Sequence, residues 1–303
     1  MDRIISVTNL TKTYKNTPAL KGISFNVKRG EIFGILGPNG AGKTTTLEII
    51  EGLRVQTSGQ CAVLGYDNIS ESAEIKKKIG VQLQSSKYFN HLSLAELLEL
   101  FASLYGKKIN PVEILKSFDL EGKAAATVKE LSGGQKQRFT IATALAHNPE
   151  ILFLDEPTTG LDPKARHDMW QLIKGLNRSG MTIIMTTHYM EEAEFLCHRL
   201  AILDNGQILK LDSPQSLIAE ISKIYKISFF TEDKISPDFF AEFQPKKIVL
   251  EYPKAIVETE NFAALPKILN KLQKEKIRYS FLNVKSATLE EVYLQLTGKE
   301  YEG

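Results

Sequence analysis

The residues best placed to do chemistry lie in the run Gly37-Pro38-Asn39-Gly40-Ala41-Gly42-Lys43-Thr44, with Thr45 directly after it. The spacing fits G-x-x-x-x-G-K-[ST], between the apolar run Ile32–Leu36 and a helical pattern over 45–50. Glycines there let main-chain N–H groups turn inward around an anion, and the following helix adds the positive end of its dipole. In such a loop Lys43 reaches the β- and γ-phosphates of a nucleotide and the Thr44 hydroxyl ligates Mg²⁺. A second apolar run, 151–154, ends in Asp155-Glu156-Pro157. Carboxylates at a strand end are usually turn residues facing solvent. Downstream of a phosphate loop, Asp155 suits an Mg²⁺ site through water and Glu156 suits polarising the attacking water. His188 closes a third such run, 181–187, where it can reach a γ-phosphate. A further anion-binding turn, Leu131-Ser132-Gly133-Gly134-Gln135, opens a helical pattern through Ile141, Ala144 and Leu145. One fold has no need of two γ-phosphate sites, so the economical reading gives this turn to the nucleotide of a neighbouring subunit.

These groups need a frame. Residues 1–215 alternate β-rich runs with amphipathic stretches, the pattern of an α/β domain with a parallel sheet covered by helices. The nearly all-apolar runs suit central strands buried on both faces. A helical pattern covers 168–176 ahead of the third run. Between the first and second runs, about 84–131, the pattern turns helical, and Ser93-Leu94-Ala95-Glu96 forms a capping box. This predicts a helical subdomain over about 85–131. After Ser213-Pro214 and a short helix over 215–222, strand patterns at 224–230, 247–252, 255–259 and 277–284 surround a helix over 262–274. A last helix runs from the Thr288-Leu289-Glu290-Glu291 box to Leu296, with Gly298 as its stop. The predicted division is a phosphate-loop α/β domain at 1–222 and an accessory α+β domain at 223–303, with a ferredoxin-like arrangement as the candidate for the second.

Composition narrows the partners. The 303 residues are 43% apolar and 24% charged, which excludes disordered and fibrous classes. A formal charge of +2 gives no electrostatic footprint for nucleic acid, and none is expected as a partner. Cys61 and Cys197 stand far apart, so neither a disulfide framework nor a thiolate zinc site is supported. No stretch approaches the length of an apolar spanning helix, and the chain is expected to be cytoplasmic and not to cross a membrane by itself. Cys197-His198, placed on a helical stretch over 191–199, reads as packing plus a surface residue. Lys76-Lys77-Lys78 reads as a solvated helix face and Trp170 as helix packing.

The order and spacing of Gly37–Thr44, Gln84, Leu131–Gln135, Asp155-Glu156, Thr159-Gly160-Leu161-Asp162 and His188 resemble an ABC transporter ATPase subunit. Finer matches, Leu100-Phe101-Ala102-Ser103-Leu104-Tyr105-Gly106, Tyr189-Met190-Glu191-Glu192-Ala193-Glu194 and residues 288–298, resemble the ATPases of multidrug- or antibiotic-type ABC-2 exporters. The resemblance implies a P-loop ATPase core using ATP and Mg²⁺. It makes Tyr14 the aromatic that stacks on adenine and Gln84 the loop glutamine touching the Mg²⁺ and water region. The segment Gly80-Val81-Gln82-Leu83 departs from many relatives in lacking a proline before that glutamine. Asp162 would cross to the opposite subunit, with N-capping of the helix at Pro163 as its local role. Ser132, Gly133, Gly134 and Gln135 would close over the partner's ATP, giving a homodimer with two competent sites and a nearly inactive monomer. A separate integral membrane permease would hold this subunit on the inner face of the membrane and move a drug, antibiotic, lipid, polysaccharide or ion. The alternative is a soluble ABC ATPase acting on ribosomes, DNA or a protein complex. The single phosphate loop and the lack of sustained heptads speak against it.

Overall fold

The computed structural model describes residues 2–83, 88–221, 225–285 and 287–298. Gln84 lies outside them. The backbone forms two compact units, one reaching to Pro214 and one beginning at Gln215, ahead of the 222/223 division expected from sequence. The first unit begins β1 (Arg3–Tyr14), β2 (Thr17–Lys28), β3 (Ile32–Leu36), α1 (Lys43–Ile50), β4 (Ser58–Val63), β5 (Tyr66–Asp67), α2 (Ser72–Lys76) and β6 (Ile79–Gln82). It continues α3 (Leu94–Ser103), α4 (Pro111–Ser117), α5 (Gly133–Leu145), β7 (Ile151–Asp155), α6 (Pro163–Arg178), β8 (Thr182–Thr187), α7 (Met190–Leu196), β9 (Arg199–Asp204) and β10 (Gln207–Asp212).

The central sheet has the order β10-β9-β3-β8-β7-β6. All neighbours in it are parallel except β9 and β10, which are joined by the tight turn at Asn205-Gly206. β3, β7 and β8 are buried at every residue, as their unbroken apolar runs predict. Because β3, β8 and β7 are adjacent and parallel, their C-terminal ends open at one edge, where ligands of open α/β sheets bind. A second, antiparallel sheet, β2-β1-β4-β5, is not foreseen by the parallel reading of 1–215. Its strands alternate burial, with Ile5, Val7, Phe25, Val27, Cys61 and Val63 in the core shared with Phe33 and Phe153. The Cys61 thiol is pushed up to about 12 by burial and that of Cys197 is also raised, so neither is a nucleophile.

Ser93 and Glu96 form the expected capping box at the start of α3. α6 starts at Pro163 under an Asp162 cap and runs longer than the expected 168–176. α7 is shorter than expected: Cys197 turns extended (φ −80°, ψ 136°), because Arg199 onward must join the sheet beside β3. His198 therefore sits off the helix, its Nδ1 accepting from Ile32 N at 2.9 Å.

The second unit comprises α8 (Pro214–Ile221), which spans the division, β11 (Tyr225–Phe230), β12 (Lys247–Glu251), β13 (Lys254–Thr259), α9 (Ala264–Lys274), β14 (Ser280–Lys285) and α10 (Leu289–Thr297). β14 begins later than the expected 277. Its sheet, β12-β13-β11-β14, is antiparallel throughout, which is the strand order of a split βαβ fold, with a 3₁₀ helix at Pro237–Phe243 in place of the first helix. Phe229, Phe240, Val257, Ile268 and Leu272 fill its core.

Candidate active site

The phosphate loop is shaped by two glycines for different reasons. A Cβ on Gly37 would stand 2.2 Å from the Leu203 carbonyl oxygen, so β9 closes off any side chain there. Gly42 sits at φ +105° as the residue before α1, a conformation L side chains rarely adopt. Lys43 is 5% exposed, and its ammonium donates to the Gly37 carbonyl at 2.8 Å and the Pro38 carbonyl at 3.2 Å. Ala41 is buried and ties the loop to the β9–β10 turn through Gly206 N. Asn39, Gly40 and Thr44 are exposed at the mouth, Pro38 is half-buried and Gly37 is buried.

The strand ends bring the predicted carboxylates to this lysine. Register pairs Asp155 with Thr186 across β7 and β8. Thr186 Oγ1 donates to Asp155 Oδ1 at 2.5 Å, and Thr44 Oγ1 donates to Asp155 Oδ2 at 3.1 Å. Burial raises the Asp155 carboxyl above its ordinary range against the opposing pull of those two hydroxyls. Glu156 Oε1 lies 3.1 Å from Lys43 Nζ, and Oε2 lies 3.1 Å from His188 Nδ1. The histidine contact is a close approach without hydrogen-bond alignment. Burial works to raise the Glu156 carboxyl, but the Lys43 charge, its hydrogen bond and His188 outweigh it and hold the group below its ordinary range. Glu156 is therefore a carboxylate at neutral pH, able to accept a proton. Its backbone is left-handed (φ +50°), held by its N–H donating to Thr186 Oγ1 at 3.0 Å.

A divalent cation fits the donor set. Thr44 and Asp155 offer hard oxygens on one side of the loop, and Asp155 is a buried carboxyl beside a second carboxylate, which a positive ion would compensate. Among the described residues no cluster of three or more His, Cys, Asp or Glu could hold a metal. Mg²⁺ needs only one or two protein ligands, with phosphates and water, and Thr44 and Asp155 supply two.

The remaining predicted residues fall into two groups. Tyr14 ends β1, its hydroxyl 3.4 Å from Thr45 Oγ1, so its ring borders the phosphate turn. Lys12 and Arg54 each lie 5.2 Å from the ring centroid. Arg54 is a neighbour that sequence spacing alone does not reveal. Ser132 and Gln135 form a capping box on α5: Ser132 Oγ accepts from Gln135 N, and Gln135 Oε1 accepts from Ser132 N. Ser132 and Gly133 are exposed, whereas Gly134 packs close to α6, where a Cβ would meet Ala165 at 3.3 Å. Asp162 is exposed and caps α6 by accepting from Ala165 N at 3.0 Å, so its local role is realised.

Sequence reasoning missed Thr186, which holds both acidic residues. Its signal was the threonine pair at the end of a strand parallel to the one ending in Asp155. It also missed Gln82, 2% exposed, whose amide approaches the Asp155 carbonyl at 3.5 Å, and Glu51. Glu51 is 2% exposed and lines a cavity of about 300 Å³ with Lys76, Val81, Phe101 and His147. Burial, then the charges of Asp155 and Glu48, pushes its carboxyl up to about 8. Across pH 4.5 to about 8 the unfolded chain has lost this proton while the folded chain keeps it, so stability falls as pH rises through that window. Glu51→Gln is expected to remove this fall, worth on the order of a few kcal/mol. Urea unfolding midpoints at pH 5 and pH 8 check it, and an unchanged pH dependence in the variant would refute the assignment.

Against known proteins, the family model described as ABC transporter matches residues 20–159. The chain is 35% identical over 308 residues to the linearmycin resistance ATP-binding protein LnrL of Bacillus subtilis, covering 98% of this chain and 99% of that one. It is 36% identical over 302 residues to the Nod factor export ATP-binding protein I of Burkholderia pseudomallei, covering 98% and 97%. Among solved structures it is similar to the dimeric, post-hydrolysis state of the ATP-binding cassette MJ0796 bound to ADP and Pi. There the TM-score is 0.62 and the identity 34%, over 69% of this chain and 98% of that one.

Proposed function

The chain belongs to the ABC transporter family as an exporter-type ATP-binding and hydrolysing subunit, and from that premise we propose how its residues use ATP and what they drive. The observation that carries the reading is the convergence of Lys43, Glu156 and His188, 3.1 Å apart in sequence of contact, where three adjacent parallel strands end.

In this reading, the main-chain N–H groups of 37–45 and Lys43 hold the β- and γ-phosphates, while Tyr14 stacks on adenine. Thr44 and Asp155 would hold Mg²⁺, which when bound would supply positive charge against the phosphate oxygens, and Gln84 is assigned to the same Mg²⁺ and water region. Glu156 orients the attacking water and takes its proton as oxygen bonds to the γ-phosphorus and the bond to the β–γ bridging oxygen breaks. His188 donates to a γ-phosphate oxygen. Ser132 and Gly134 of a second copy cover the same nucleotide, so ATP closes a homodimer and hydrolysis releases it. Asp162 contacts the opposite copy. The accessory unit from Gln215 onward is assigned to stabilising or regulating that dimer.

The load is a separate permease of ABC-2 type, which would hold this subunit at the inner face of the membrane. Among the described residues no helix is long and apolar enough to cross a membrane. The names of the relatives, linearmycin resistance and Nod factor export, favour export, with an antibiotic among the expected cargoes. The test is affinity purification of the tagged chain from gently solubilised membranes with a slowly hydrolysed ATP analogue, followed by mass spectrometry. A multi-spanning protein at near-equal stoichiometry is expected. Recovery of ribosomal or nucleoid proteins with no membrane protein would overturn the transport reading.

A further inference from the structure

Behind the hydrolytic residues lies a second polar cluster that the mechanism above does not use. Glu192, on the first turn of α7, is completely buried. Its Oε1 accepts from Thr158 Oγ1 at 2.8 Å and from Trp170 Nε1 of α6 at 2.9 Å. Thr158 is itself fully buried and belongs to the turn that follows Glu156: Thr159 N donates to the Glu156 carbonyl, Leu161 N donates to the Thr158 carbonyl, and Thr159 Oγ1 donates to Glu156 Oε2 at 3.2 Å. On the other side, Ala193 N donates to the Tyr189 carbonyl, Tyr189 N donates to Thr187 Oγ1, and the Arg166 guanidinium stacks 4.1 Å from the Tyr189 ring. Glu192 is thus the group in which the turn carrying Glu156, the helix α6 and the strand end carrying His188 meet.

The cluster is incompletely satisfied. Four buried side-chain polar atoms lack a hydrogen-bond partner among the described residues, and three of them, Arg166 Nε, His188 Nδ1 and Glu192 Oε2, are here. Burial raises the Glu192 carboxyl above its ordinary range, opposed by Thr187, Thr158, Trp170 and the Arg166 charge. A fold needing only adhesion at this point would be served by an apolar side chain, since half-paired buried groups are unfavourable. What a carboxyl provides, and an apolar side chain does not, is one oxygen that fixes two donors from different elements.

We propose that Glu192 is a positioning residue for ATP hydrolysis: by accepting from Thr158 and Trp170 it locks the 156–161 turn to the strand end bearing His188 and so fixes the separation of Glu156 and His188. The requirement is for the accepting oxygen, not for charge. Glu192→Gln keeps that oxygen; Glu192→Leu removes it; Thr158→Val removes the facing donor without touching α6.

Steady-state ATPase of the full chain, normalised to folded protein, is the test. Misplacement of reacting groups by about an ångström lowers turnover by about a hundredfold. Glu192→Leu and Thr158→Val are therefore expected to lower kcat by about ten- to a hundredfold with KM for ATP little changed. Glu192→Gln is expected to restore turnover, and the Thr158→Val/Glu192→Leu double variant to fall no further than the worse single one. Wild-type kcat in Thr158→Val, additive losses in the double variant, or a Gln variant as impaired as the Leu variant would each overturn the proposal. If the Leu variant does not fold, Thr158→Val carries the test alone. The inference rests on the roles given to Glu156 and His188, and Glu156→Gln assayed alongside separates the two failures. Full activity in Glu156→Gln removes the premise, whereas an inactive Glu156→Gln beside a fully active Thr158→Val removes only the role of Glu192.

Discussion

Glu156→Gln is expected to lower ATP turnover by about a thousandfold while leaving nucleotide binding intact. Glutamine has the same length, can still meet Lys43 Nζ and Thr159 Oγ1, and suffers the same left-handed backbone at φ +50°. What is lost is the negative charge facing Lys43 and, with it, the ability to take a proton. Because the carboxyl in the native protein is held below its ordinary range by Lys43 and His188 despite burial, it is charged across the neutral range, and its loss should matter throughout that range. With binding kept and hydrolysis stopped, added ATP should collect the variant as a dimer in sedimentation velocity. Wild-type hydrolysis in this variant would remove Glu156 from the reaction.

Lys43→Met should act earlier in the cycle. The residue is 5% exposed, and its ammonium is held at the phosphate loop by two loop carbonyls and Glu156. A charge-assisted bond of this kind is worth about 1.5–3 kcal/mol, so ATP affinity should fall by roughly ten- to a hundredfold, and turnover with it. A second effect follows from the ion pair. Without Lys43, Glu156 keeps burial and loses the largest opposing influence, so its carboxyl should move upward and residual activity should decline at a higher pH than in the native protein as the solution is acidified. Calorimetric titration with ATP and a pH profile at saturating nucleotide check the two parts. Unaltered affinity would mean that the main-chain amides alone hold the phosphates.

Much of the site was legible because it is built from short-range devices. The phosphate loop, the capping box at Ser93, the helix-opening turn at Ser132 and the Asp162-Pro163 helix start each depend on residues within a few positions of one another. Unbroken apolar runs likewise reported strands buried on both faces. What stayed hidden depends on pairing across the chain. The antiparallel sheet of β1, β2 and β4 was absorbed into the parallel reading, because its half-buried strands carry polar residues at many positions. Nor can spacing show that Thr186 bridges Asp155 and the Glu156 N–H, or that Glu51 and Glu192 are buried carboxyls where acidic helix residues would ordinarily face water. The end of α7 was misjudged because the pull of the sheet on Arg199 is a tertiary demand that helical periodicity does not carry.

The capping box on α5 has a consequence for how two copies meet. Ser132 and Gln135 already order each other, so the exposed end of that helix is rigid before any second copy arrives. Under the proposed function, closure over a nucleotide then docks two preorganised surfaces, and little conformational entropy remains to be lost at that step. The limiting quantity becomes the frequency of encounter. Two copies tethered to one permease face each other at an effective concentration on the order of millimolar, a density that dilute subunits do not reach. The same rigid helix end, engaged only at rare encounters in a dispersed population, is engaged far more often wherever a membrane partner gathers two of them, which raises ATP consumption at the place where it can be coupled.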